Sequence, residues 1–235
     1  MLQKAFNQED SIVNFQRLLA KIFLLITRWK LEGRVPELSK CVIIGAPHTS
    51  NWDFFFGMLF KLYYGLNIQF LMKKELFRFP FRWVFNWIGG IPVDRRKHGN
   101  LVDHLGEKMK NSEDFYLAIA PEGSRKEVMV WKRGFYHIAK KAGVPIVLGY
   151  MDYRRKVVGI GPVFYPGDDI EKDMREIAVF YSTIQAKFPA NFYLPVDRHD
   201  RHDRYDRHDR RVERRQERRR ERLSGRKHGR RAKRS

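Results

Sequence analysis

Apolar residues fall in short, separate runs over the first 195 positions and almost vanish after them. Cys41 to Ala46 is an unbroken apolar run, the pattern of a short buried strand. Pro47 ends it, and Ser50 or Asn51 supplies a helix cap. Trp52 to Tyr64 then reads as an amphipathic or buried helix. Ile68 to Met72 predicts a strand, Arg82 to Trp87 a helix, Ile91 to Val93 a short strand and Leu101 to Lys110 a helix. Phe115 to Ala120 is another buried strand, and Phe135 to Ala142 a helix stopped by Gly143. Pro145 to Tyr153 and Lys156 to Tyr165 predict a strand pair turning at Arg154 and Arg155. Asp168 to Phe188 reads as one long helix opened by Asp168 and Asp169. Strands alternating with helices predict an α/β fold: a mixed, mostly parallel sheet flanked by helices.

The two ends follow other patterns. Residues 1–35 read as an N-terminal amphipathic helical segment, ahead of a domain over 36–195. Its apolar face runs from Ile12 and Phe15 through Leu18, Leu19 and Ile22 to Ile26 and Trp29, interrupted by Arg17, Lys21, Arg28 and Lys30. The uninterrupted run from Ile22 to Ile26 falls far short of the ~20 residues that span a bilayer. A helix lying in a membrane interface fits, and so does a core helix packed on the domain. A second stretch, Leu76 to Ile88, interleaves aromatic residues with Arg78 and Arg82, which suits a membrane surface, an acyl-chain groove or single-stranded nucleic acid. Residues 196–235 form a basic low-complexity tail that repeats Asp, Arg and His. It has almost nothing to bury, so disorder is expected there.

Charge and cysteine content narrow the picture. The net charge of +20 divides evenly between the tail and the rest, so the body is basic by itself. A basic body suits an anionic lipid surface or a phosphorylated substrate, and charge alone admits nucleic acid equally. The single cysteine excludes an internal disulfide framework and a cysteine-based zinc site, and fits a reducing compartment. Cys41 belongs to the buried strand and is read as structural. The opening residues lack the apolar run of a secretory signal, so none is expected.

Two motifs carry the chemistry. In Ala46-Pro47-His48-Thr49-Ser50-Asn51-Trp52-Asp53 an imidazole precedes a carboxylate by five residues. On one continuous helix such positions point about 140° apart. They meet only if His48 sits on the turn before the helix and Asp53 on its first turn. There the helix dipole stabilises the carboxylate and favours a neutral imidazole, the form a general base needs. His98 and Asp103 share the spacing but lack a strand leading into the motif, so His98 is read as a solvated loop residue. The second motif, Ala120-Pro121-Glu122-Gly123-Ser124-Arg125, offers a carboxylate, a permissive backbone position and a guanidinium just after a strand. Ligands bind at the C-terminal ends of strands in open α/β sheets.

With these residues the chain resembles the glycerolipid acyltransferase family. His48 to Asp53 matches its His-x4-Asp block. Gly89-Gly90-Ile91-Pro92-Val93-Asp94-Arg95 matches its second block, Pro121 to Arg125 its third, and Val144-Pro145-Ile146-Val147 its apolar fourth. The resemblance implies acyl transfer from a thioester donor, acyl-CoA or acyl-carrier protein, to the hydroxyl of a lysophospholipid-type acceptor such as 1-acylglycerol-3-phosphate. His48 is then the general base and Asp53 its orienting acid. Arg95 and Arg125 grip the acceptor phosphate, Glu122 contacts acceptor hydroxyls or pairs with Arg125, and Gly123 and Ser124 shape the site. Backbone N–H groups near the helix start are candidates for the oxyanion. No bound cofactor and no metal are expected. The expected partners are a membrane surface, the acceptor and the donor, with the protein at the cytoplasmic face of a membrane and nucleic acid not expected. A lipid or thioester hydrolase, and a basic nucleic-acid-binding or anionic-surface-binding protein, remain the alternatives.

Overall fold

The computed structural model describes residues 2–94 and 101–195, with backbone alone over residues 2–12. These residues form one compact unit. The tail expected over 196–235 lies outside them.

At the centre is a seven-stranded sheet: β1 (Lys30–Glu32), β2 (Lys40–Ala46), β3 (Ile68–Lys73), β4 (Gly90–Val93), β5 (Phe115–Ile119), β6 (Ile146–Asp152) and β7 (Val157–Phe164). Their order across the sheet is β1-β7-β6-β2-β5-β3-β4. Every pairing is parallel except β6 with β7, the hairpin that turns at Arg154 and Arg155. The mixed, mostly parallel α/β sheet expected from the sequence is the one formed.

β2 is central and buried on both faces, as its unbroken apolar run requires. Val42, Ile44 and Ala46 point to one face, where they pack with Leu105 and Met109 of α4 (Leu101–Asn111), Phe135 and Ile138 of α5 (Gly134–Ala142), and Ile177 and Tyr181 of α6 (Ile170–Ser182). Cys41 and Ile43 point to the other face, towards α1 (Leu2–Thr27) and α2 (Asn51–Tyr64). There Ala20 and Leu24 of α1 and Phe56, Leu59 and Phe60 of α2 complete a second core. Burying each of these large side chains is worth about 1.5–3 kcal/mol, so the two cores lock the helices onto the sheet. Cys41 is 1% exposed, and burial pushes its thiol up to about 12, so it stays protonated and packs as a small apolar group.

Two expectations need correction. The helix expected over 1–35 stops at Thr27. Arg28 adopts a left-handed conformation (φ 60°), its N–H bonds to Leu25 O, and Trp29 N–H bonds back to Leu24 O. This is the usual hydrogen-bonded helix stop, here built on Arg rather than Gly, so the sequence showed no stop signal. Trp29 then stacks on Phe56 with ring centroids 3.7 Å apart, and Lys30–Glu32 joins the sheet as β1 beside β7. The helix expected over 168–188 spans only Ile170–Ser182, capped by the Asp169 carboxylate. Ser182 and Thr183 donate their hydroxyls to Val179 O and Phe180 O, competing with the helix ladder. The chain then turns inward to bury Ile184 and Ala186.

Among the described residues no helix is long and apolar enough to cross a membrane. α1 nevertheless exposes Phe15, Leu18, Leu19, Ile22, Leu25 and Ile26 while burying Ala20 and Leu24 against the domain. The reading as a helix packed on the domain is realised on the face that carries Ala20 and Leu24. A short helix α3 (Arg82–Trp87) leaves Trp83 and Trp87 exposed, as are Phe79 and Phe81 before it.

Candidate active site

β2 delivers the chain to the C-terminal edge of the sheet, where Pro47 and His48 turn it into α2. Ser50 caps that helix and Asp53 is its third residue, in a reciprocal capping box. The box explains the His-x4-Asp spacing physically. From the first turn of α2 the Asp53 carboxylate reaches back, and its Oδ2 accepts the N–H groups of Ser50 (2.6 Å) and Thr49 (2.7 Å). The same oxygen then stands 3.7 Å from His48 Nδ1. Asp53 is 2% exposed. Burial raises its carboxyl above the usual range, and hydrogen bonds from Tyr153, Ser50 and Thr49, with the charge of Lys187, pull it back down.

β5 runs parallel to β2 as its neighbour, so the Glu122 motif emerges beside the His48 turn. Both Glu122 oxygens accept the backbone N–H of His48, at 2.8 and 3.0 Å. Glu122 is 2% exposed, and no ion pair joins it to Arg125 among the described residues. Burial, reinforced by the nearby Asp53 charge, lifts its carboxyl to about 8. Glu122 therefore braces the backbone of the histidine turn. The expected ion pair with Arg125 is not formed, and deep burial sets the carboxylate under the turn rather than in an open groove.

Gly123 has φ +64°, and Lys132 packs so closely that an added Cβ would lie 3.2 Å from its Cε. The positive φ favours glycine there, while the flexible Lys132 side chain can give way to a Cβ. Ser124 Oγ accepts Lys126 N–H at 3.2 Å and shapes the turn. Arg125 is exposed, and its positive charge reaches His48. Burial first and Arg125 second lower the imidazole to about 4, so His48 is neutral at pH 7. Arg95 lies outside the described residues, as does His98. The strand before Arg95, β4, stands three places from β2 in the sheet. Of the backbone N–H groups near the helix start, those of His48, Thr49, Ser50 and Trp52 bond to the Glu122, Asp53 and Ser50 side chains.

Beside the His48–Asp53 pair an apolar cavity of about 150 Å³ opens between α2 and the sheet. His48 and Asp53 line it with Phe54, Gly57, Phe70 and Met151. Its space comes from small residues. Gly45 of β2 and Gly149 of β6 are register partners, and Gly57 faces the cavity from α2. A Cβ at Gly45 or Gly57 would meet nothing within 4 Å. No sequence signal singles out these glycines or Tyr153, whose phenol donates to Asp53 Oδ1 at 2.6 Å. Among the described residues no three His, Cys, Asp or Glu side chains gather as metal ligands.

A neutral imidazole and a buried carboxylate at the mouth of an apolar cavity, with an exposed guanidinium nearby, define a site suited to acid–base chemistry on an amphiphile. The acyltransferase family model matches residues 28–149, just over half of the chain, and the protein belongs to that family. It is 29% identical over 131 residues to a 1-acyl-sn-glycerol-3-phosphate acyltransferase of Haemophilus influenzae, covering 50% of this chain and 52% of that one. A chloroplastic 1-acyl-sn-glycerol-3-phosphate acyltransferase of Brassica napus is 27% identical over 149 residues, covering 57% and 41%. The chain thus spans about half the length of the curated relatives it matches. The fold is similar to the crystal structure of the 1-acyl-sn-glycerophosphate (LPA) acyltransferase of Thermotoga maritima, with TM-score 0.52, 19% identity and coverage of 74% of this chain and 76% of that one.

Proposed function

We propose that this protein transfers a fatty acyl group from a thioester, acyl-CoA or acyl-carrier protein, to the free hydroxyl of a lysophospholipid-type acceptor, 1-acylglycerol-3-phosphate in the first instance. The reaction is a step of phospholipid biosynthesis. The observation that carries this reading is the neutral His48 imidazole, backed by Asp53, at the opening of an apolar cavity. His48 removes the proton of the acceptor hydroxyl as its oxygen attacks the thioester carbonyl. Asp53 orients the ring and stabilises the imidazolium that forms. The thiolate leaves and takes up a proton from His48. Because the nucleophile belongs to the acceptor, no acyl-enzyme is formed. The cavity walls suit an acyl chain, and the Arg125 guanidinium suits a phosphate. Arg95 is proposed as a second phosphate ligand on the family resemblance alone.

The outward apolar face of α1 and the aromatic residues around α3 support residence on a membrane surface at the cytoplasmic side, with the basic body facing anionic headgroups.

The test is product analysis of the purified protein with labelled acyl donor, with and without lysophosphatidic acid. Diacylated product that depends on acceptor and disappears in His48→Ala supports the reading. Free fatty acid at the same rate without acceptor makes the protein a hydrolase, and neither product defeats both.

A further inference from the structure

β6 runs parallel to β2 in the sheet, with Ala46 opposite Tyr150. Three residues on, just past the end of β6, Tyr153 therefore rises over the same sheet edge as His48. Its hydroxyl donates to Asp53 Oδ1 at 2.6 Å, across 100 residues of sequence. Tyr153 is half-buried and held at its backbone, ring and hydroxyl. Its N–H bonds to Gln185 O at 2.9 Å. Its ring meets Trp29 edge-on, with centroids 4.9 Å apart. The turn that follows is pinned by Asp152, which accepts Arg154 N–H and holds the Arg155 guanidinium at 2.9 Å, and Arg155 also pairs with Glu32 of β1.

The two oxygens of Asp53 are thus divided. Oδ2 serves the histidine turn through Thr49, Ser50 and His48, and Oδ1 is held by the phenol. We propose that Tyr153 is a positioning residue of the reaction, a third member of the His48–Asp53 pair that fixes the carboxylate plane and keeps Oδ2 turned towards the imidazole. This rests on the acyl-transfer reading for its consequence in turnover and on geometry alone for the hydrogen bond. Without its Oδ1 donor the buried carboxylate is held through Oδ2 alone and is harder to ionise. The groups facing Asp53 are His48 and the two turn N–H groups, Tyr153 from the end of β6, and Lys187 from the segment after α6. Glu122 lies close enough to feel its charge. Lys187 itself sits over the rings of Trp52, Tyr153 and Phe188, 5.2 to 5.9 Å from their centroids. Of these, the phenol is the side-chain donor that meets Oδ1.

The test is Tyr153→Phe in the full chain, which keeps the ring packing and removes one hydroxyl. Two readouts are combined. Carbon-13 NMR of labelled aspartate carboxyls, assigned with Asp53→Asn, follows the Asp53 titration directly. Steady-state kinetics with lysophosphatidic acid follows turnover. The expected result is a higher Asp53 midpoint, an acidic limb of the pH–rate profile displaced to higher pH, and kcat lowered about tenfold at an unchanged acceptor KM. An unmoved Asp53 midpoint, or full turnover with an unmoved acidic limb, overturns the proposal. If the wild-type protein transfers no acyl group, the acyl-transfer reading fails, while the midpoint still decides whether the phenol holds Asp53.

Discussion

His48 Nδ1 stands 3.7 Å from the one Asp53 oxygen that already accepts Thr49 and Ser50 N–H. At that distance the contact is electrostatic rather than a formed hydrogen bond. It fits a resting base, since such bonds often tighten only when substrate is bound. Asp53 thereby does two jobs from one position: it closes the first turn of α2 and it faces the imidazole.

Removing the base tests this arrangement most simply. His48→Ala is expected to lower turnover by about 10²–10⁴-fold. The melting temperature should change little, because the turn is held by backbone bonds to Asp53 and Glu122. With the imidazole at about 4, the wild-type acidic limb of kcat/KM should lie well below the ordinary histidine value of 6.5.

Arg125→Ala is expected to raise the acceptor KM with kcat less affected, as for loss of a phosphate contact. It should also move the His48 titration upwards, because the Arg125 charge helps hold the ring neutral. A donor KM effect with acceptor KM unchanged would remove Arg125 from the acceptor site.

Stability should depend on pH through two groups of opposite sign. Glu122 is raised from 4.5 to about 8 in the folded protein, so its contribution is full below 4.5 and lost as pH rises through about 8. His48 is lowered from 6.5 to about 4, so its contribution is present above 6.5 and lost as pH falls through about 4. The two trends oppose one another between 4.5 and 6.5 and separate above it. The melting temperature should fall between pH 6.5 and 8 in the wild type and stay flat there in Glu122→Gln, which keeps an acceptor for His48 N–H.

Gly57→Leu places a side chain in the open space of the cavity. The expected result is a preference for shorter acyl donors in competition assays. Stability should hold or rise, since replacing a helical glycine gains up to ~1 kcal/mol. Equal loss on all chain lengths would argue against an acyl chain in this cavity.

Leu25→Glu and Ile26→Glu alter side chains already exposed on α1. Each is expected to weaken co-sedimentation with anionic vesicles by about tenfold, from the apolar burial it removes. Unchanged binding would take α1 off the membrane surface.

Much of this site was legible before the structure because its signals are local. A buried strand, a proline, a cap and a following helix bring together His48 and Asp53, five residues apart. Glu122 and Arg125 follow from the same strand-to-loop logic. What stayed hidden depends on register and packing. Tyr153 reaches Asp53 only because β6 lies beside β2, and no periodicity in the chain reveals that order. Gly45, Gly57 and Gly149 become a cavity only when α2 is laid on the sheet. Arg28 ends α1 in a left-handed conformation that sequence reading reserves for glycine. The bond from His48 N–H to Glu122 is also hidden, because residue type does not say which N–H a carboxylate will meet.

α2 is the element on which these features converge. Phe54, Gly57 and Phe60 form one boundary of the apolar cavity, Asp53 sits at its first turn, and Phe55 packs edge-on against Phe23 of α1. The helix that walls the cavity is therefore packed along its far flank against the element with the outward apolar stripe. One helix thus joins the carboxylate beside His48, the wall of the apolar cavity and the exposed face of α1.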